Sequence, residues 1–453
     1  MITYVITPVS GKPNLLLGAY DLATLGYGAE EYFVSGTAAS YASDATADFT
    51  TRIVVCRPVD AESTGTVIVE WLNVSGGIDA PAVWFMAHRE IVRAGFAYVA
   101  VSVQRVGVEG GMSLVGADMS LKTQDAVRYS RLHHPGDAFS YDIFSQVGRH
   151  IKDGAVDGLK PETVLAVGES QSAAFLTTYV NVVDPVAAVY DGFLVHSRFG
   201  PAAPLDSTSV FEDAASQAVP FRPDLRVPVV TVITETDLIG GFRVGYHLAR
   251  QPDNARLRAW EVPGTAHADN YTIRVSFIDN GSAPLSELVA GYSPTNELMG
   301  QQLSYCINFA PQHHYVLQAA VAALNSWVRT GDAPPVAAPV ELSDSEPPEL
   351  VLDATGNAVG GVRTPWVDVP IARTSGLAPE DSPMSFLFGS GQLLDAETLG
   401  TLYPGGCGEY LERFTAALDR AIEAGFIVAA DREEILALAK LTFPSDRGGL
   451  PLD

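Results

Sequence analysis

Runs of residues that are apolar along almost their whole length, separated by amphipathic helical stretches, limit most strongly what this chain can fold into. The runs are Thr66–Leu72, Phe96–Val103, Thr163–Val167, Gly192–His196, Val229–Thr234 and Leu257–Val262. The spacing predicts helices at Ala82–Ala94, Tyr141–Lys152, Gln171–Val183, Phe242–Arg250 and His314–Arg329. A strand without a polar face must be covered on both sides, and helices in the connections supply that cover. The pattern therefore predicts an α/β fold with a mostly parallel sheet flanked by helices. Residues 1–60 hold short β-like runs, such as Arg52–Arg57.

Two stretches break the alternation. Residues 200–227 are rich in Pro, Ser and Asp, and residues 268–312 are long and irregular. Loops of this length in a compact unit are usually lids or binding loops. A Pro- and Ala-rich run at 333–340 separates a first unit, 1–335, from a C-terminal extension, 336–453. The extension is expected to pack on the same unit, with a hairpin at Leu350–Val362 and helices at Glu409–Ala424 and Arg432–Leu441.

The charge balance excludes several function classes. With 28 Lys and Arg against 53 Asp and Glu, the net charge is −25, the wrong sign for a phosphate backbone or an anionic membrane surface. The same field predicts that a polyanionic ester reaches the protein more slowly than its neutral analogue at low salt, a difference measurable in kcat/KM. Cys56, Cys306 and Cys407 are odd in number and far apart, so neither a zinc ribbon nor a disulfide framework fits, although one bridge remains open. No segment reaches the ~18 apolar residues of a membrane span, and the N-terminal residues lack a signal-peptide pattern. A cytoplasmic location is the expectation. Gly107-Val108-Glu109-Gly110-Gly111 follows a strand but lacks the spacing of a dinucleotide site, and there is no H-E-x-x-H. Neither a cofactor nor a metal is called for.

The chemistry is carried by Gly168-Glu169-Ser170-Gln171-Ser172, between an apolar strand and a helix. That is the setting of a nucleophile elbow, where a strained serine needs small residues two places before and after. The fifth position of the usual G-x-S-x-G is Ser172 here, small but not glycine. Of the three G-x-S triplets, those at Ser113 and Ser293 lack this context. A plain helix cap at Ser170 is the bland alternative.

A serine nucleophile needs a base and an orienting acid, in this fold in the order Ser, acid, His. Val229–Thr234 leads into Glu235 and Asp237, and His267 lies in the loop after the next strand. Asp237 is the favoured acid, because the carboxylate usually lies a few residues past the strand; Glu235 is its rival. His133-His134, His313-His314 and His196 compete with His267 for the role of base, while His88, His150 and His247 read as packing or surface residues. Oxyanion donors are expected from the Gln171 backbone N–H and from the glycine-rich loop Asn73-Val74-Ser75-Gly76-Gly77, at Asn73 or Val74.

With these residues placed, the chain resembles serine hydrolases of the α/β-hydrolase superfamily. It is most similar to a group of bacterial α/β-hydrolase-domain proteins known mainly by fold. The marks are L-H-H-P-G-D-A-F-S-Y-D-I-F-S-Q (132–146), V-G-E-S-Q-S (167–172), T-E-T-D (234–237), G-T-A-H-A-D (264–269), P-Q-H-H-Y-V-L-Q-A-A (311–320) and D-A-T-G-N-A-V-G-G-V-R-T-P (353–365). The resemblance spans nearly the whole chain. It implies Ser170, His267 and an acid at 235 or 237 as a catalytic triad, and it implies no substrate. Asp137, Tyr141, Asp142 and Arg363 lie in the same segments, as shapers of the site or as holders of its loops.

The leading expectation is a carboxylic ester hydrolase acting on a small or medium, neutral ester. Amide, lactone or thioester hydrolysis, or acyl transfer, would use the same residues, and a non-catalytic binding protein on a hydrolase fold is the reading from another class. Phe211, Phe221, Tyr271, Phe277 and Tyr292 in the irregular segments are expected either to form an acyl pocket or to anchor those loops to the core. Oligomeric state is not legible.

Overall fold

The computed structural model describes residues 5–60, 63–111, 113–114, 116–206, 217–379 and 385–444. Its main sheet comprises β1 (Val5–Val9), β2 (Tyr27–Ala39), β3 (Thr46–Pro58), β4 (Thr66–Trp71), β5 (Ala97–Val101), β6 (Thr163–Glu169), β7 (Gly192–His196), β8 (Val229–Thr234) and β9 (Leu257–Val262), in the order β1-β2-β3-β5-β4-β6-β7-β8-β9. The first three strands form an antiparallel meander, and β3 runs antiparallel to β5. From β5 onward all pairings are parallel. The early β-like runs are thus two 13-residue strands.

Alternate residues of β4 explain the layers. Val67, Val69 and Trp71 point to one face, where Phe144, Val147, Phe175 and Tyr179 from helices Ser140–Lys152 and Gln171–Thr178 and the turn after it cover them. Ile68 points to the other face, covered by Trp84, Ala87 and Ile91 of helix Ala82–Arg93 and by Val316, Ala320 and Leu324 of helix Gln312–Thr330. Glu70 shares that second face without exposing charge to it. Its carboxyl accepts the Val83 and Trp84 N–H groups at a helix N-terminus (2.8 and 3.0 Å) and the Tyr98 hydroxyl (2.7 Å). Burial pushes it up to about 8 against those three donors.

The chain leaves β4 towards β5 on one side and then crosses to β6 on the other, so β4 and β6 are direct neighbours. In open α/β sheets such a reversal opens a crevice at the carboxyl ends of the two strands. Here those ends carry the Asn73 loop and Ser170. The loop is anchored from below by the buried Arg52, whose guanidinium meets Asp79 at 2.6 Å, and by the Asn73–Ala80 bridge.

The C-terminal residues enter the same core. Trp260 donates to the Pro335 carbonyl (2.9 Å) and meets Phe426 edge-on at 5.1 Å. Trp366 stacks on Tyr315 at 5.6 Å, and Arg93 pairs with Asp431 at 2.7 Å. The hairpin expected at Leu350–Val362 is reduced to isolated bridges, Leu352–Ala358, Leu342–Leu350 and Val340–Gly360.

Three other expectations need correction. Residues 242–250 are not a helix but a short turn at Tyr246–Ala249: Gly240 and Gly241, both at positive φ, precede them, and Gly245 interrupts them where a side chain would meet the Ile239 carbonyl at 2.4 Å. The helix from Gln171 stays α-helical only to Thr178 and widens over Tyr179–Val183. The stretch 268–312 is less irregular than its composition suggests, holding a turn at Tyr271–Val275 and a helix at Leu285–Tyr292. Its aromatics anchor it: Tyr271 stacks on His314 at 3.7 Å, Tyr292 lies next to them and Phe277 packs on Phe85. Phe221 is buried under Arg198, and Phe211 lies outside the described residues. The three cysteines are free. No helix among the described residues is long and apolar enough to cross a membrane.

Candidate active site

Ser170 lies between the last residue of β6, Glu169, and the helix Gln171–Thr178, with φ 57° and ψ −116°. Few residues with a side chain adopt that conformation, and it persists only where the surroundings over-determine it. Here the Ser170 N–H donates to the His196 carbonyl (3.0 Å) and its own carbonyl accepts from Ala174 (3.1 Å). A Cβ on Gly168 would lie 2.9 Å from Leu176 and 3.3 Å from the Ser172 backbone, so position 168 needs glycine. Ser172 fits where glycine is usual because its buried hydroxyl turns back to the Glu169 carbonyl at 2.8 Å.

The loop after β9 brings His267 over this turn. Its Nε2 lies 2.8 Å from Ser170 Oγ and its Nδ1 2.6 Å from Asp237 Oδ1. Asp237 is fixed as part of a capping box on helix Glu235–Ile239: its Oδ2 accepts the Thr234 N–H (3.0 Å) and hydroxyl (2.7 Å). With Oδ2 so engaged, Oδ1 is left to the imidazole, which sets Nδ1–H towards Asp237 and the Nε2 lone pair towards the serine. Burial pushes His267 down, but the charge and hydrogen bond of Asp237, with Glu169 adding, outweigh it and Arg243, so the imidazole stands above its ordinary value.

Glu235, the rival acid, faces elsewhere. Its carboxyl accepts the Gly264 N–H at 2.5 Å, the Gly376 N–H at 2.8 Å and the Ser375 hydroxyl at 2.9 Å. It ties the C-terminal segment to the loop that carries His267. Burial raises it to about 6 against those three donors.

Of the expected oxyanion donors, the Gln171 N–H stands at the first turn of its helix, where the dipole favours an anion. Among the described residues it has no acceptor in the chain. The Val74 N–H is covered by the Gln171 side-chain Oε1 at 3.4 Å. Asn73 is engaged otherwise, as its Nδ2 donates to both the main-chain carbonyl and the carboxyl of Glu169, each at 3.1 Å.

The remaining histidines are placed away from Ser170 Oγ. His313 and His196 face each other through their Nε2 atoms at 2.8 Å, His134 is bound to the Val103 carbonyl, and His133 is mostly exposed. His88 is buried between carbonyls and His247 meets the Leu238 carbonyl. Asp137, Tyr141, Asp142 and Arg363 all hold loops: Asp137 the Arg105 N–H, Tyr141 the 203–204 carbonyls, Asp142 the Ala39 N–H, and Arg363 the Asp368 carboxylate. No group of three or more metal-ligating side chains occurs among the described residues.

Sequence reasoning missed several neighbours of the imidazole. Phe199 stacks on His267 at 5.3 Å, Arg243 lies over Phe199 at 5.0 Å, and Phe386 of the C-terminal segment approaches Phe199 at 6.2 Å and Phe242 at 5.4 Å. Nothing in the local sequence marks these residues. Glu169 was also missed, although it lies inside the elbow motif. Its Oε1 is 3.4 Å from His267 Nε2.

The family model described as "Alpha/beta hydrolase domain" matches residues 5–437. No curated protein matches the sequence. Among solved structures, a candidate dienelactone hydrolase from Klebsiella pneumoniae subsp. pneumoniae MGH 78578 aligns at 16% identity over 55% of this chain and 93% of its own, with a TM-score of 0.35. A cold-adapted esterase from an Arctic intertidal metagenomic library aligns at 13% identity over 52% of this chain and 85% of its own, with a TM-score of 0.31.

Proposed function

The chain belongs to the alpha/beta hydrolase domain family, and from that premise we propose that it is a serine-dependent carboxylic ester hydrolase working through an acyl-enzyme on a small or medium, neutral ester. The observation that carries the reading is the unbroken relay from Ser170 Oγ to His267 Nε2 (2.8 Å) and from His267 Nδ1 to Asp237 Oδ1 (2.6 Å).

The chemistry follows from those contacts. Ser170 Oγ attacks the ester carbonyl carbon while its proton passes to His267 Nε2, and Asp237 stabilises the resulting imidazolium without taking the proton. The carbonyl oxygen becomes an oxyanion and accepts from the Gln171 N–H. The Val74 N–H joins once the Gln171 side-chain amide turns aside. Each such donor contributes about 3 kcal/mol to the transition state. Collapse of the adduct breaks the C–O bond, and the imidazolium protonates the departing alkoxide. Water then attacks the acyl-enzyme by the reverse proton path and releases the acid. A neutral ester suits this site because Asp237 and a net charge of −25 repel anions.

Exposure to a fluorophosphonate tests the reading without a known substrate. Intact-mass analysis is expected to show one adduct, located on the peptide that bears Ser170. A well-folded protein that takes up no adduct would sink the proposal and turn attention to a binding role.

A further inference from the structure

We propose that Glu169 is a positioning residue for His267: its carboxylate lies against the imidazole edge that faces Ser170 and stabilises the imidazolium formed when the serine proton is taken up. The inference rests on the serine-hydrolase reading above and assigns a second carboxylate to the same imidazole.

The arrangement is a built one. Glu169 Oε1 is 3.4 Å from His267 Nε2, and the side chain is 12% exposed. The other oxygen, Oε2, accepts from Asn73 Nδ2 at 3.1 Å, and the same amide holds the Glu169 main-chain carbonyl at 3.1 Å. Asn73 cannot easily swing, because its Oδ1 accepts the Ser75 N–H (2.8 Å) and hydroxyl (2.7 Å) while its backbone is paired with Ala80. One asparagine at the end of β4 therefore fixes both the backbone and the carboxyl of the residue before the nucleophile.

The position decides what the carboxyl does. In the resting site Nε2 carries a lone pair, and a carboxylate beside a lone pair is repelled. Once Nε2 is protonated, the same carboxylate faces a cation and the contact becomes favourable. The interaction is thus stronger after proton transfer than before, the condition for lowering a barrier rather than only binding. Other charged or titratable groups act on the pair: Asp237 across the ring, Arg243 on the Phe199 side, His313 and His196 from the neighbouring helix and strand, and the buried Glu70 of β4 on Glu169. Burial raises Glu169 to about 7, with Asp237 adding and the histidines opposing. Glu169 Oε1 and His267 Nε2 lie 3.4 Å apart, so the ionisation of each is felt by the other and the two titrate as a coupled pair.

Glu169→Gln separates this role from a structural one. The glutamine keeps an oxygen for Asn73 Nδ2 but carries no charge. The expected result is a fluorophosphonate labelling rate and an ester kcat lower by about tenfold, with KM unchanged. The acid limb of the pH profile should move to lower pH, since losing an adjacent negative charge makes the imidazolium easier to deprotonate. An unchanged plateau and an unchanged acid limb would overturn the inference. Should the variant fold poorly, the wild-type protein suffices. With ¹⁵N-labelled histidine, the His267 ring nitrogens are expected to titrate in two inflections, and a single-site curve would overturn the inference. Wild type that never takes up the fluorophosphonate refutes the serine-hydrolase reading, while the NMR titration still judges the Glu169–His267 contact by itself.

Discussion

Replacing Ser170 with alanine is expected to lower kcat for ester hydrolysis by about 10⁵- to 10⁶-fold, or ~7–8 kcal/mol of transition-state stabilisation. The size of the effect follows from the roles assigned to the group. Without Oγ no acyl-enzyme forms, His267 has no proton to take, and the remaining site offers only the oxyanion donors and whatever binding the cleft supplies. Those leave a residual acceleration of about 10³–10⁴ over water. The fold should be nearly unaffected, because the contacts that hold the turn use the Ser170 backbone and the space left by Gly168, not the hydroxyl. Turnover of a p-nitrophenyl ester alongside a thermal melt separates the two effects. A variant that keeps a hundredth of wild-type activity with an unchanged melt would place the nucleophile elsewhere.

The second large effect separates the two acids. Asp237→Asn is expected to lower kcat by about 10⁴-fold with little change in Tm. The Thr234 N–H and hydroxyl donate to Asp237 Oδ2, so an asparagine there would turn its carbonyl to Thr234 and present its NH₂ to His267 Nδ1. The imidazole would then be held in the tautomer that puts a proton, rather than a lone pair, towards Ser170. Glu235→Gln should do the opposite. Its carboxyl accepts three donors, from Gly264, Ser375 and Gly376, and an amide must turn its own donors towards one of them. The expected cost is about 1–3 kcal/mol of stability, with only a modest drop in kcat as the loop carrying His267 loosens. Paired kinetics and melts on the two variants decide the matter. Equal losses of activity, or a greater loss in the Glu235 variant, would reverse the assignment.

The parts of the site that could be read from the chain are those with a local signature. A strained serine between an apolar strand and a helix needs small neighbours, and Gly168 and Ser172 advertise that need. Residues 235–237 and 267 were legible because each follows a strand, and strands announce themselves by composition. Glu169 was not legible as a partner of His267. It occupies the variable position of the motif, and its contact depends on Asn73, 96 positions away. Phe199 and Phe386 share that character, coming from segments without periodicity that meet only when the chain is folded. Residues 242–250 show the converse failure, where a helical pattern of apolar residues was overridden by Gly245 within it and the Gly240-Gly241 pair before it.

By itself the sequence determined the class of fold, the strand and helix cover that it requires, the sign of the molecule's electric field and a short set of candidate residues. These follow from periodicity, composition and the steric demands of one turn, all of which act over a few residues. Tertiary structure alone decided which carboxylate meets Nδ1 of His267, which tethers the C-terminal segment, and which lies against Nε2. Asp237, Glu235 and Glu169 are the same chemistry at strand ends. They differ only in which distant N–H, hydroxyl or imidazole the completed sheet brings within about 3 Å, the range in which a hydrogen bond has its strength and its direction.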